Sequence, residues 1–165
     1  MGGDQAVLDQ VQPLLDELGS NISYLGGSGN GHVAKAINNF PNGTNLAAAA
    51  EAMVLGVKSG LDARQLLDAI NTSSGRNWAT EVRFQRILEG DYQEGALTMG
   101  LMAKDIGVFL GLTGEQAAPT SLAAPLSEVY RRAIDHAHED VPTNRLVDVL
   151  GDEAGGVRMQ QEPDG

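Results

Sequence analysis

The sequence contains no cysteine. That excludes disulfides, thiolate nucleophiles and cysteine-based metal or redox motifs, and it fits a reducing compartment such as the cytoplasm. Aromatic residues make up only 4% of the chain. With alanine and leucine abundant, so few aromatics favour packed helices over a β-sandwich. No apolar run reaches the roughly 18 residues of a membrane-spanning helix, so no membrane partner is expected. Met1-Gly2-Gly3-Asp4 leads directly into a polar helical pattern and is unlike a signal peptide. Positive charge is scarce: 11 Lys and Arg stand against 22 Asp and Glu, a net charge of −11. Such a balance argues against nucleic acid and anionic membranes as partners. Only Lys35, Lys58 and Lys104 are lysines, so their placement carries more information than usual.

What is present is one domain's worth of chain. The 165 residues are 42% hydrophobic, enough for a core. Val7, Leu8, Val11, Leu14, Leu15 and Leu18 fall at helical spacing, with Pro13 marking a kink or a late helix start. Residues 21–25, NISYL, form the one short strand candidate. A glycine loop and a helix from about residue 31 follow. Pro41 and Gly43 in FPNGT are breakers, so the pattern predicts an interruption there before helix resumes and Gly60 closes it. Asp62 is an N-cap for the next helix. SSGRN reads as a turn before a helix near 78–88. LMAKDIGVFLGL is apolar almost all round and reads as buried. Ser121 is expected to cap a helix to about 138, and a short helix covers 143–150. Residues 151–165 have little apolar content and read as a disordered tail. The expected fold class is all-α, about seven helices with at most one strand. A lone strand needs a partner for its backbone groups, so a helix and strand at the start of such a chain point to something missing upstream.

The stretch GSGNGHVAKAINN (27–39) carries most of the chemical signal. Gly29-Asn30-Gly31-His32-Val33-Ala34 fits a weak form of the dinucleotide fingerprint, G-x-G-x-x-A. That fingerprint requires a second strand and an acidic residue about 20 positions on, whereas more helix follows here. The bland reading is a flexible lead-in to a helix, whose first N–H groups attract anions such as carboxylates. Within the helix, Val33, Ile37 and Phe40 make an apolar stripe and Lys35, Asn38 and Asn39 cluster opposite. Lys35 and Asn39 are one turn apart, so an ammonium and an amide can converge on one small ligand. The spacing also suits a solvated face, although such a face in this chain would more often carry Glu, Asp or Arg.

Lys104-Asp105 interrupts a helix that otherwise looks buried. A charge there is either paired internally or lines a cavity. His136 and His138 point away from each other, and no metal site is expected. Trp78 is read as core. Tyr24, Tyr92 and Tyr130 show no arrangement that argues for chemistry.

Taken in order, these segments resemble one family. Gly29, Gly31, Lys35, Asn38 and Asn39 form G-x-G-x-x-x-K-x-x-N-N. AEAMVLGVKSGLD (50–62), NTSSGRNW (71–78), LMAKD (101–105) and the SEVYRRA helix follow as in the C-terminal domain of the β-hydroxyacid dehydrogenases, the 3-hydroxyisobutyrate dehydrogenases in particular. The resemblance spans about residues 2–150. It implies an all-helical domain of the 6-phosphogluconate dehydrogenase-like type (28–150) preceded by a helix-strand remnant of a Rossmann cofactor domain (1–27). It implies NAD or NADP as cofactor, a small 3-hydroxy acid as substrate, and a homodimer or higher homo-oligomer. By the same resemblance Lys35 is the general acid/base on the substrate hydroxyl and Asn39 holds that hydroxyl, with Asn38 close by. Gly29 and Gly31 let the backbone approach substrate, and Lys104 sits near the cofactor.

The chain departs from the family's pattern in several places. The cofactor domain and its serine-glycine-glycine substrate loop are expected upstream of Met1. Pro41 and Gly43 fall inside what is usually one long helix, and Leu97 stands where an aromatic residue is usual. The expected activity is therefore that of the catalytic-lysine half of an oxidoreductase. A helical oligomerisation or small-carboxylate-binding module without turnover is the alternative.

Overall fold

The computed structural model describes residues 1–93 and 97–160. It divides into two compact units, Met1–Asn38 and Asn39–Gly165.

In the first unit, helix α1 runs over Gln5–Leu18 and is capped by Asp4, whose carboxylate accepts from the Ala6 N–H. It starts well before Pro13, which α1 contains. None of its residues is buried, and Val7, Leu14 and Leu18 are exposed. Residues 21–25 do not form the expected strand, and no strand occurs among the described residues. They lie beside Met1–Gly3 instead, with Leu25 N–H donating to Met1 O at 2.9 Å and Gly3 N–H to Gly26 O at 2.8 Å. With the Met1 ammonium donating to Ser23 O at 2.6 Å, these bonds tie the two segments without making a regular ladder. Helix α2 (Asn30–Lys58) begins in this unit and continues into the next.

The expected break at FPNGT is absent: α2 is continuous through Pro41 and Gly43. Pro41 is exposed, so water can satisfy the carbonyl one turn earlier that proline's missing N–H leaves open. Gly43 is buried and serves packing: a Cβ there would meet Met102 Sδ at 3.0 Å and Tyr130 Cε2 at 3.6 Å. Close approach of two other side chains to the backbone is what glycine permits here. Gly60 ends α2 at φ +90°, with the Leu61 N–H returning to Gly56 O, the left-handed close that its position predicts.

Asp62 caps α3 (Ala63–Asn71), accepting from the Gln65 N–H at 2.9 Å. After the SSGRN turn the chain makes a π-helical turn, Ala79–Arg83, and then α4, Phe84–Glu89. α5 covers Met99–Glu115 and α6 covers Ala123–Ala137. Ser121 does not cap α6; Leu122 holds that position and makes no side-chain bond. A 3₁₀ turn, Thr143–Arg145, leads into α7, Leu146–Glu153. The start of α5 is tied to the 139–143 turn by Met99 N–H to Val141 O and Thr143 N–H to Leu97 O, at 2.8 and 2.7 Å.

Leu46, Ala50 and Met53 of α2 form the core of the second unit with Leu67, Phe84, Ile87, Met102, Ile106, Tyr130, Leu146 and Val147. Phe40 stacks on Phe109 with ring centroids 4.3 Å apart. Two expectations about burial change. α5 is not buried all round, since Leu101 and Val108 are about half exposed, and Trp78 is 64% exposed rather than core. The segment after residue 150 is ordered as far as it is described. α7 continues to Glu153, and Met159 is buried in the core cluster. Few apolar residues are needed there because Gly151 lets the returning backbone lie directly on α7, where its carbonyl accepts from Gly156 and Val157 N–H groups. Residues 161–165 of the expected tail lie outside the described residues. No helix among the described residues is long and apolar enough to cross a membrane.

Candidate active site

The glycine stretch turns sharply into α2. Gly29 has φ +88° and Gly26 φ +89°, values that suit glycine and strain other residues. The loop closes on itself. Asn30 Nδ2 donates to Leu25 O at 2.7 Å, and the Asn30, His32 and Val33 N–H groups go to the carbonyls of Gly27 and Gly29. Several of the amides expected to attract an anion are thus used by the loop itself. Gly2 lies against this turn so closely that a Cβ on it would stand 2.5 Å from Gly27 O. Met1, Gly2, Ser28, Gly29, Gly31, His32 and Lys35 line an open depression of about 450 Å³. Three of its lining residues are glycines, and Lys35 supplies the cation. That combination suits a small anionic ligand: glycines admit it closely, while an ammonium and a helix start favour negative charge. The helix that follows α2 is α3, so the βαβ context of a dinucleotide fingerprint does not occur here.

On α2, Lys35 and Asn38 are exposed and Asn39 is buried. The helical period puts Lys35 and Asn39 one turn apart. Asn39 meets α5. Its Nδ2 donates to Asp105 Oδ2 at 2.5 Å, and the other oxygen of that carboxylate, Oδ1, lies 3.1 Å from Lys104 Nζ. Asp105 is 9% exposed at its side chain and Lys104 62%. The structure thus brings together Asn39, Asp105 and Lys104, three polar residues from two sequence motifs. Sequence reasoning reads Lys104-Asp105 as internally paired or lining a cavity, and the pair is present, but it does not connect Asp105 with Asn39. The signal is present, a carboxylate inside an apolar helix, but its partner on α2 lies 66 positions away.

The histidines find separate partners, in keeping with their spacing. His136 Nε2 lies 3.1 Å from Asp152 and His138 Nδ1 3.6 Å from Asp140. Among the described residues no group of three His, Asp or Glu could hold a metal.

For a nicotinamide dinucleotide the donor set is partial. Lys104 offers an exposed ammonium on α5, a helix that also exposes Leu101 and Val108. That suits contact along one edge of a large polar ligand with an apolar portion. A phosphate-cradling turn between strand and helix is not found among the described residues.

The described residues are helical, with Lys35, Asn38 and Asn39 on α2 and the Lys104–Asp105 pair on α5. The chain belongs to the family described as the NAD-binding of NADP-dependent 3-hydroxyisobutyrate dehydrogenase, which it matches over residues 29–150. That range includes the lysine motif and the Lys-Asp pair. It is 35% identical over 144 residues to the 2-(hydroxymethyl)glutarate dehydrogenase of Eubacterium barkeri, covering 86% of this chain and 48% of that protein. It is 34% identical over 147 residues to the NAD-dependent L-serine dehydrogenase of Pseudomonas aeruginosa, covering 85% and 49%. The structure of the 3-hydroxyisobutyrate dehydrogenase of Mycobacterium tuberculosis with L-serine superposes with a TM-score of 0.82 at 28% identity, over 90% of this chain and 53% of that one. The chain therefore spans about half the length of the relatives it matches. The family is one of NAD(P)-dependent oxidoreductases.

Proposed function

We propose that this chain is the helical, catalytic-lysine domain of an NAD(P)-dependent dehydrogenase acting on a small 3-hydroxy acid. In this reading residues 28–150 are the substrate and dimerisation domain and residues 1–27 belong to a cofactor domain. The observation that carries the proposal is Lys35 near the start of α2, where it lines the glycine-rich depression.

The chemistry divides among these residues. NAD(P), when bound, supplies the acceptor for the hydride that leaves the hydroxyl-bearing carbon. Lys35 Nζ takes the hydroxyl proton as the C–O bond becomes a carbonyl, and in the reductive direction its ammonium returns that proton to the carbonyl oxygen. Asn39 holds the hydroxyl in line with Lys35, and Asn38 borders the same face. Gly29 and Gly31 admit the acid close to the backbone. Lys104 touches the cofactor, where an exposed ammonium complements phosphate or ribose oxygens. A homodimer or higher homo-oligomer fits the exposed apolar residues on α1 and α5.

Calorimetry with 3-hydroxyisobutyrate, with and without NAD, tests the reading. The chain is expected to bind the hydroxy acid and Lys35→Met to bind it about tenfold more weakly or worse, as for loss of a charge-assisted bond. Turnover by the chain alone should fall far below the roughly 1–10³ per second of ordinary enzymes. Equal binding by the wild type and Lys35→Met would overturn the assignment of Lys35. Binding of the acid without any response to NAD, in a chain joined to a cofactor domain, would favour a carboxylate-binding module.

A further inference from the structure

Arg64 stands in the first turn of α3, and Glu89 is the last residue of α4. Each charge is at the wrong end of its helix. A helix carries partial positive charge at its start and partial negative charge at its end, so an arginine at a start and a glutamate at an end both oppose the dipole. Neither side chain has a hydrogen-bond or ion-pair partner among the described residues to offset this. Local preferences are broken in this way where a protein binds something.

Both residues line one cleft of about 450 Å³, which lies wholly within the second unit. That volume falls in the range of small-molecule sites, roughly 300–1,000 Å³. The other two charges of the cleft are already engaged. Asp62 accepts from the Gln65 N–H as the cap of α3, and Arg158 donates to Asp152 at 2.5 Å and to Val157 O at 3.0 Å. One cation and one anion therefore remain, and they do not pair with each other. Leu61, Leu88 and Met159 supply apolar surface beside them. The walls are tied in place. The Leu61 N–H returns to Gly56 O at 3.0 Å, and Gln160 Nε2 donates to Ile87 O at 3.3 Å, which holds the returning chain against α4.

We propose that this cleft binds a small zwitterion, an α-amino acid with an apolar side chain. Arg64 takes the carboxylate, Glu89 takes the ammonium, and Leu61, Leu88 and Met159 cover the side chain. Both charged side chains are long and exposed, so their tips can converge on groups carried by one carbon. Bound between them, the amino acid gives each misplaced charge the opposite partner that its own helix end lacks. The site uses no residue assigned to the hydroxy-acid chemistry, so the two readings fail separately.

The test is a titration of the full chain with L-leucine, followed by amide chemical shifts. Saturable shifts are expected at Leu61, Ala63, Leu88 and Gln160. Exposed charge contacts are weak, so a Kd on the order of 1 mM is expected. Two analogues each lack one charge: 4-methylpentanoate has no ammonium and 3-methylbutylamine no carboxylate. Each should bind about three- to fivefold more weakly than leucine. Arg64→Gln should weaken leucine and 4-methylpentanoate by a similar factor and leave 3-methylbutylamine unchanged. Glu89→Gln should weaken leucine and 3-methylbutylamine and leave 4-methylpentanoate unchanged. A merely structural effect would move all three ligands alike. Without ligand, both variants should be at least as stable as the wild type, since each removes a charge from the wrong end of a helix. No saturable shift with leucine, equal affinity for leucine and both analogues, or variants that weaken all three ligands alike overturns the proposal. A lower Tm in both variants would mean that these charges serve the fold, and overturns it as well.

Discussion

Tyr130 donates its hydroxyl to the backbone carbonyl of Gly43, 87 residues earlier in the chain, at 3.3 Å. The bond forms where α2 has no side chain. Met102 and Tyr130 both press against Gly43, at 3.0 and 3.6 Å from where a Cβ would stand. Gly43→Ala is expected to be close to neutral, because about 1 kcal/mol of helix propensity is gained while Met102 must give way. Gly43→Val cannot be absorbed so easily and should cost about 1–3 kcal/mol. Urea denaturation of the two variants checks the pair. A Val variant as stable as the wild type would mean that α5 and α6 do not bear on α2 at this point.

Burial pushes the phenol of Tyr130 far above its ordinary range. Tyr92 is raised too, first by burial and then by the charge of Asp148. A group whose folded-state value is raised contributes stability that is fully present below its unfolded value and is lost as pH rises past it. For tyrosine that loss begins near pH 10. The chain should therefore lose stability progressively above about pH 10, and Tyr130→Phe should soften the decline. Tyrosinate absorbance followed together with circular dichroism checks this. Tyr130 should ionise only as the helices melt; ionisation within an intact fold would contradict its burial.

Gly151 sits where residues 154–157 fold back over α7. A Cβ there would run into the carbonyl oxygen of Val157, and backbone cannot move aside as a side-chain tip can. Gly151→Ala should cost about 2–3 kcal/mol and loosen the segment that buries Met159. Hydrogen exchange should show lost protection at Gly156 and Val157, whose N–H groups both bond to Gly151 O. Retained protection at those amides would mean that the returning segment is held by something other than this contact.

Pro41 lies inside α2 and is exposed. Pro41→Ala restores one helical N–H and removes the ring's clash, so it should stabilise the chain by about 1–3 kcal/mol. A higher Tm with unchanged helix content is the expected result. A lower Tm would show that the local bend imposed by proline is needed for the packing of Gly43 two residues later.

Much of the helical framework is legible in the sequence. Asp62 and Gly60 act as cap and stop because their effects are local: a carboxylate next to free N–H groups, and a glycine at positive φ. Ser121 misses the cap position by one residue, since the helix begins at Ala123 and Leu122 precedes it. Pro41 and Gly43 mislead because breakers act only through local propensity. In a helix of this length, packing around Gly43 outweighs them. Trp78 and the outer face of α5 mislead for the opposite reason, as apolar character does not state which side of a helix a neighbour covers.

By itself the sequence determined the all-helical class, the family, and the row Lys35, Asn38 and Asn39, because helical period and motif spacing are properties of neighbouring residues. Only the tertiary structure decided that Asn39 meets Asp105, that α2 runs unbroken past Gly43, and that the chain after residue 150 folds back to bury Met159. Each of these depends on which surfaces touch across long stretches of chain, and local periodicity does not encode that.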